Sequence, residues 1–448
     1  MRPSVSEAIR QTLHVAMGGF ALLLRVFSWQ EAALLALAAL GFNLVVLPRV
    51  GGRALYRAGD HARGYPVGIL LYPLAVLLLI LIFPARPDIA AAAWGVLAIG
   101  DGAATVVGRW LGGPRLPWNR EKTWIGTAAF AAAGSAAAVG LAWWTAPALA
   151  VPPSAAYLTS APIAAALVAA LVETLPVRLD DNLSVPAAAA ATLWTLSLVS
   201  PEAVRAHVPE IARNLGPAFT ANVVVAALGW RARTVTVGGA VAGAVIGLVV
   251  YLAAGWQGWT LLVAAFLAAA ATTRLGLRRK SLLGIAETRG GRRGPGNALA
   301  NTGLAAVAAA LTATTPYPEL ALVAFTAALV AGASDTVASE IGKAWGRHTF
   351  LITSLSAVPP GTSGGVSWEG TAAGVGSAAG LAAVALALGL IPASALAIVV
   401  LSATAASFAE SILGATLEGR GILDNDLLNF FDTACAAGLA VALTGLVR

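Results

Sequence analysis

Asp101 and Asp335 each close an apolar run, and each heads the same kind of polar series. After Asp101 come Thr105, Gly108-Arg109, Lys122-Thr123-Trp124-Ile125-Gly126-Thr127, Glu173 and Asp180-Asp181-Asn182-Leu183. After Asp335 come Ser339-Glu340, Gly342-Lys343, Ser367-Trp368-Glu369-Gly370-Thr371, Glu410-Ser411 and Asp424-Asn425-Asp426-Leu427. Order and residue type agree, while loop lengths differ: 22 residues separate Asp101 from Thr123 and 32 separate Asp335 from Ser367. We read two related active sites in one polypeptide.

An ionisable residue inside a membrane span is costly and faces a polar cavity or a partner. Carboxylates converging from separate helices, with hydroxyls beside them, suit a hard, oxygen-ligated cation such as Mg²⁺. The expected ligands are Asp101 and Glu173 in the first series and Asp335, Glu340 and Glu410 in the second. The chain has three lysines, and two of them, Lys122 and Lys343, fall inside the series. With the glycine-rich segments Gly112-Gly113 and Gly361-Thr362-Ser363-Gly364-Gly365, they offer positive charge and backbone N–H groups to phosphate. Metal, lysine and amides together stabilise a transferring phosphoryl group. No P-loop and no protein-kinase signature is present. Taken singly, each residue also reads as a helix cap, a snorkelling carboxylate or a topology anchor. Recurrence of the ordered set is what favours chemistry.

The elements that position these residues must be transmembrane helices. Of 448 residues, 58% are hydrophobic and 11% charged. Apolar runs of about 17–22 residues recur throughout, which is bilayer length. The fold class is all-α and polytopic, two related multi-helix halves with about 14–15 spans. These are expected near 10–28, 31–48, 66–84, 89–110, 125–146, 157–175 and 185–200, then near 216–230, 235–254, 259–275, 298–314, 320–345, 370–391, 394–414 and 428–446. The polar stretch 200–215 is read as the boundary between domains 1–205 and 206–448. Alternate loops are basic, among them those carrying Arg49, Arg53, Arg57 and Arg63, Arg115 to Lys122, and Arg274 to Arg293, which places both series on the cytoplasmic face of a membrane and the C-terminus outside. The net charge of +7 is therefore topological, and nucleic acid is not an expected partner. A single cysteine, Cys435, excludes an internal disulfide. The cluster Arg289, Arg292, Arg293, Asn297 and Asn301 has no counterpart in the first half and suits an acceptor that is itself an anion.

At these motifs the sequence resembles known families. Gly100-Asp101-Gly102 through Arg109, Asn119-Arg120-Glu121-Lys122-Thr123 and Glu173 with Asp180-Asp181-Asn182 resemble the phytol kinase and dolichol kinase family. Arg292-Arg293 with Asn297 and Asn301, Asp335 through Gly342, and Pro359 through Thr371 resemble the phytyl-phosphate kinase family. The resemblance implies phosphorylation of an isoprenoid alcohol by the first half and of its monophosphate by the second, both with CTP as donor. It implies catalytic roles for Asp101, Lys122, Glu173, Asp181, Asp335, Glu340, Lys343, Glu410 and Asp424, and it adds Asp181 and Asp424 to the expected metal ligands. Arg109, Asn119, Thr123 and Asn182, with Gly361 to Gly365, Ser367 and Asn425, complete the expected nucleotide and phosphate contacts. Val106 stands where the second half has Glu340, so the two metal sites are expected to differ. A CTP-dependent lipid-phosphate cytidylyltransferase is the alternative enzyme, and a transporter built from repeats the alternative non-enzyme. The expected setting is a bacterial inner membrane with the active sites facing the cytoplasm.

Overall fold

A helix that is apolar on every side is buried on every side, and each part of this chain is built around one such helix. The computed structural model describes residues 5–50, 67–286 and 288–447; the side chains of 5–10, 288–289 and 447 lie outside it. Arg53, Arg57 and Arg63 therefore lie outside the described residues, as does the Arg289 side chain. The chain divides into two compact units, Met1–Ser197 and Leu198–Arg448.

The first unit runs α1 (Val5–Met17), a 3-10 segment Gly18–Arg25, α2 (Trp29–Gly41), α3 (Val67–Ile82), α4 (Pro87–Gly95), α5 (Gly102–Leu111), α6 (Trp124–Thr145), α7 (Ala155–Thr174) and α8 (Asp181–Ser197). Helix α4 is its centre. Ile89 to Ala93 and Val96 to Ala98 are almost wholly buried, and α6 and α8 pack along it. A π-helical turn, Val96–Asp101, joins α4 to α5, so Asp101 stands at the end of the most buried stretch of the unit.

The second unit runs α9 (Pro201–Arg231), α10 (Val237–Arg274), α11 (Leu277–Leu282), α12 (Pro295–Thr314), α13 (Pro318–Trp345), β1 (Thr349–Leu351), β2 (Gly365–Ser367), α14 (Trp368–Ala387), α15 (Ala393–Leu413) and α16 (Asn425–Val447). Helix α13 is the centre here. Phe325 to Val330 are buried to within 1% exposure, and α10, α12, α14, α15 and α16 surround it. The strands form an antiparallel pair with Phe350 opposite Val366, closing the loop that leads from α13 to α14. Apolar side chains such as Leu34, Leu171, Val241 and Leu401 remain exposed on the outer helices, as a lipid-facing surface requires.

Helix starts follow local rules. Ser28 and Glu31 form a capping box at α2. Thr123, Ser154, Ser200, Thr236 and Ser367 each accept the backbone N–H of the third residue of their helices, and Pro87, Pro201, Pro295 and Pro318 occupy first-turn positions.

The protein is an all-α polytopic membrane protein, but among the described residues ten helices, not fourteen or fifteen, have the length and hydropathy to cross a bilayer. The run 10–28 breaks at Gly18-Gly19 into 3-10 geometry. Helices α3 and α8 have only 16 and 17 residues. Asn297, Asn301 and the threonines dilute α12. The runs 235–254 and 259–275 do form two helices, the two arms counted together as α10; between them the backbone leaves helical geometry at Gly255, whose φ of +71° is a left-handed value that glycine adopts without strain. The end of α10 returns to its start, where the Arg274 guanidinium donates to the Ala232 carbonyl. The stretch 200–215, expected as a polar boundary, is instead the first half of α9, started by Pro201 and carrying Glu202, Arg205, Glu210 and Arg213 along it.

Candidate active sites

In the first unit a short loop delivers a lysine to two acids. After α5 the chain folds back, with Leu116 N–H donating to the Lys122 carbonyl and Trp124 N–H to that of Pro114. Asn119 Nδ2 and Trp118 Nε1 bind the Thr174 carbonyl and hydroxyl, pinning the loop to the end of α7. Lys122 Nζ then lies 2.5 Å from Glu173 Oε1 and 3.0 Å from Asp181 Oδ2. Burial alone would lower the lysine's pKa, but Asp181 and Glu173 outweigh it and hold the ammonium above its ordinary value. Asp101 joins the same group: one oxygen from each of Asp101, Glu173 and Asp181 lies within 4.8 Å of the others. Glu173 is 3% exposed, and its Oε2 has no hydrogen-bond partner in the protein. Three carboxylates face one ammonium, and the surplus negative charge with an orphaned buried oxygen fits a divalent cation.

His14 of α1 is part of this site, although its position at the start of an apolar run reads as interfacial. Its Nε2 lies 3.5 Å from Asp101 Oδ2 and 3.1 Å from the Leu97 carbonyl, and its ring meets Tyr72 edge-on at 4.7 Å.

In the second unit Asp335, on α13, accepts a hydrogen bond from Ser407 Oγ of α15 at 3.1 Å. Glu410, one turn further along α15, lies within electrostatic reach of Asp335. So does Asp432 of α16, which no motif singled out. Asp432 is 1% exposed, and neither of its carboxylate oxygens has a protein partner. The usable signal was an aspartate inside the apolar run of 428–446, the same signal that marks Asp101 and Asp335.

Glu340 goes elsewhere. The sequence reading groups it with the metal ligands, whereas its two oxygens are taken by lysines: Lys343 at 3.0 Å and Lys280, whose side chain is fully buried. Lys280 also donates to the Thr273 carbonyl at 2.8 Å, so it ties the short α11 and the end of α10 to α13. Glu340 is thereby engaged as a buried structural anion, with Lys343 spanning between it and the field at Asp335.

Each unit contains its own copy of one kind of helix crossing. Thr123 Oγ1 caps α6 by accepting Gly126 N–H at 3.1 Å, and Ser367 Oγ caps α14 by accepting Gly370 N–H at the same distance. A Cβ on Gly108 would stand 3.2 Å from Thr123 Oγ1, and one on Gly342 would stand 3.1 Å from Ser367 Oγ. The recurring Gly and Thr/Ser-Trp-x-Gly pieces are therefore where the aspartate-bearing helix passes close to the capped start of the next. Thr123 and Ser367 are committed to these caps.

Other expected contacts divide. Asn119 is spent on the loop, and Asn182 binds Asp180, which caps α8. Arg109 is exposed on the last turn of α5. Asp424 likewise acts as a cap: its Oδ1 accepts Leu427 N–H at 3.0 Å. Asn425 is exposed at the start of α16. In the glycine-rich loop, Thr362 Oγ1 donates to the Pro359 carbonyl, and Gly361 and Gly364 have φ of +86° and +71°. Gly364 abuts Ser411 and Ala415, which brings the loop, with Ser363 and Gly365, to the end of the helix bearing Glu410. Of the basic cluster, Arg292 is exposed, whereas Arg293 lines an internal cavity together with Asn297 and Asn301.

Comparison with known proteins adds a family. Residues 220–437 match the family described as Integral membrane protein DUF92. The "Uncharacterized membrane protein sll0875" of Synechocystis sp. is 39% identical over 202 residues, 44% of this chain and 78% of that protein. "Protein VTE6, chloroplastic" of Arabidopsis thaliana is 34% identical over 212 residues, 46% of this chain and 64% of that protein. "Probable phytol kinase 3, chloroplastic" of Glycine max is 31% identical over 190 residues, 40% of this chain and 59% of that protein. The chain thus spans less than two thirds of the length of the two plant relatives. No solved structure matches.

Proposed function

Because the chain belongs to the DUF92 family of integral membrane proteins and has a relative named as a phytol kinase, we propose that it is a membrane phosphotransferase acting on isoprenoid alcohols. The observation that carries this reading is the meeting of Asp101, Glu173 and Asp181 around Lys122 at one end of the first unit. In that unit an isoprenoid alcohol is converted to its monophosphate. In the second, around Asp335, Glu410 and Asp432, the monophosphate is converted to the diphosphate. CTP is the proposed donor in both steps. The prenyl chain stays among the helices while only its head group reaches the polar site.

Asp101, Glu173 and Asp181 would hold a divalent cation, taken here as Mg²⁺, which when bound neutralises charge on the donor's phosphate oxygens. Lys122 supplies a fixed positive charge to the transferring phosphoryl group, held in place by the two carboxylates it already touches. His14, beside Asp101, offers an imidazole for the proton that the attacking hydroxyl loses. In the second unit Asp432 and Glu410 take the places of Glu173 and Asp181, and Lys343 stands for Lys122.

The test is incubation of the purified protein with phytol, geranylgeraniol or farnesol and γ-³²P-labelled CTP, followed by separation of mono- and diphosphate. Label in the lipid with release of CDP supports the reading. Release of pyrophosphate with retention of CMP on the lipid would identify a cytidylyltransferase instead.

A further inference from the structure

The second unit contains a cleft that the phosphotransfer chemistry leaves unused. It lies between α9, both arms of α10, α12 and α13, with about 920 Å³ of space between side chains, its open mouth included. The walls are apolar and largely small-residue: Ala226, Gly239, Gly243 and Ala244 on one side, Phe266 and Leu329 on the other.

Polar groups stand only at its two ends. At the inner end Trp259 Nε1 donates to Asn222 Oδ1 at 3.1 Å, and Asn222 Nδ2 donates to the Ala218 carbonyl, so this floor is satisfied within the protein. At the other end are Arg293, Asn297 and Asn301. Arg293 is fixed there by its backbone, which exchanges hydrogen bonds with Thr234 and Thr236. Asn301 is 5% exposed, yet its Oδ1 and that of Asn297 are buried without a partner. Gly332 of α13 lines this same end, and Asp335 follows within one turn of that helix. From Trp259 to Ala269 the lining runs about 15 Å along the second arm of α10, at 1.5 Å per residue, so a C20 chain fits only partly coiled.

We propose that this cleft seats the hydrocarbon chain of a prenyl monophosphate, tail against the Asn222–Trp259 floor and phosphate at the Arg293 end. The inference rests on the reading of the second unit as a prenyl-monophosphate phosphotransferase. A satisfied floor asks nothing polar of the tail. The cationic mouth asks for an anionic head, whose single O–H, when monoprotonated, can be donated to one of the unpartnered amide oxygens. A single narrow cleft takes one chain, whereas a diacyl lipid brings two. The head is then delivered within one helical turn of Asp335.

The full-length protein in nanodiscs would be photolabelled with geranylgeranyl monophosphate carrying a diazirine at the far end of its chain, and the labelled peptides mapped by mass spectrometry. Labelling is expected at α9 around Asn222 and at α10 around Trp259, suppressed by unlabelled phytyl monophosphate and not by phosphatidic acid. A Cβ on Gly243 meets no atom within 4 Å, so its side of the cleft is open to a larger residue. Gly243→Phe should weaken geranylgeranyl monophosphate binding by about tenfold or more while changing isopentenyl monophosphate binding less than about twofold, and Gly243→Ala should leave both near wild type. Labelling confined to lipid-facing residues, or equal suppression by phosphatidic acid, overturns the proposal. Phosphotransfer activity with labelling outside the cleft defeats this inference alone. Labelling of the cleft in a protein without phosphotransfer activity supports the cleft and defeats the catalytic reading.

Discussion

Lys122→Ala separates two jobs that one ammonium performs. As a positive charge opposite the transferring phosphoryl group, Lys122 lowers the barrier, and its loss should cost about 3–4 kcal/mol, on the order of 100- to 1000-fold in kcat. As the partner of Glu173 and Asp181 it also repels any cation those carboxylates hold. Nζ lies 2.5 and 3.0 Å from their oxygens, so an ion held by the same group would be a near neighbour, taken as about 4 Å away for the estimate. Even with full aqueous screening, a unit charge and a divalent ion at that distance repel by about 2 kcal/mol, so removing the lysine should tighten Mn²⁺ binding about 30-fold. Mn²⁺ electron paramagnetic resonance titration measures the affinity, and product formation from labelled CTP measures the rate. Activity should fall while metal affinity rises. Since Lys122 has its pKa raised, its ion pair is complete below the ordinary lysine value near 10.4 and is lost only as pH climbs through the higher folded value, so neutral-pH assays compare the fully charged wild type with the neutral variant. Mn²⁺ affinity that is unchanged or weaker in Lys122→Ala would refute a shared metal and lysine site.

Three further outcomes follow from the geometry. Asp101→Asn should abolish monophosphate formation yet leave added monophosphate convertible to diphosphate, checked by thin-layer separation; equal loss of both steps in a folded protein would mean the units are not catalytically separate. Asp432→Asn should do the reverse, at a loss on the order of 100-fold or more, because it replaces a buried, unpartnered carboxylate oxygen in the group around Asp335 with an amide nitrogen. Gly370→Ala should lower stability by about 1–3 kcal/mol, since its Cβ would fall 2.7 Å from the Ala338 carbonyl, while Gly376→Ala, in open space, should leave the melting temperature of the detergent-solubilised protein unchanged.

Lys122 was legible because it is one of three lysines in the chain, and Asp101 and Glu173 because a charge in an apolar run is conspicuous whatever the fold. Asp432 carries the same mark and was overlooked, since it lies eight residues beyond the recognisable Asp424 motif. The engagement of Glu340 by Lys280 was not legible at all: the two are 60 residues apart, and their meeting depends on how a six-residue helix packs. Asp424 shows the opposite ambiguity, for an aspartate opening a helix has the same sequence signature as a ligand and a cap. The helical state of 200–215 was hidden by its prolines, which initiate α9 at Pro201 and are carried inside it at Pro209 and Pro217. The break in α10 was legible as the gap between the runs 235–254 and 259–275, although hydropathy does not encode the Gly255 dihedral that makes it.

The π-helical turn Val96–Asp101 has a consequence for which changes of length the chain tolerates. Such a turn holds one residue more than the α-helix around it. Deleting Leu97 or Ala98 would let α4 and α5 join as continuous α-helix in nearly the register they already hold, whereas rewinding the turn as α-helix with all its residues kept would rotate everything beyond by about 100° about the axis, the angle of one residue in a 3.6-residue turn. Gly108 would then swing away from Gly126 and present a side chain of its neighbour to the crossing, while Asp101 would turn from His14. The register of the first site is thus stored in the wide turn, and the same residues wound as one continuous α-helix would lose it.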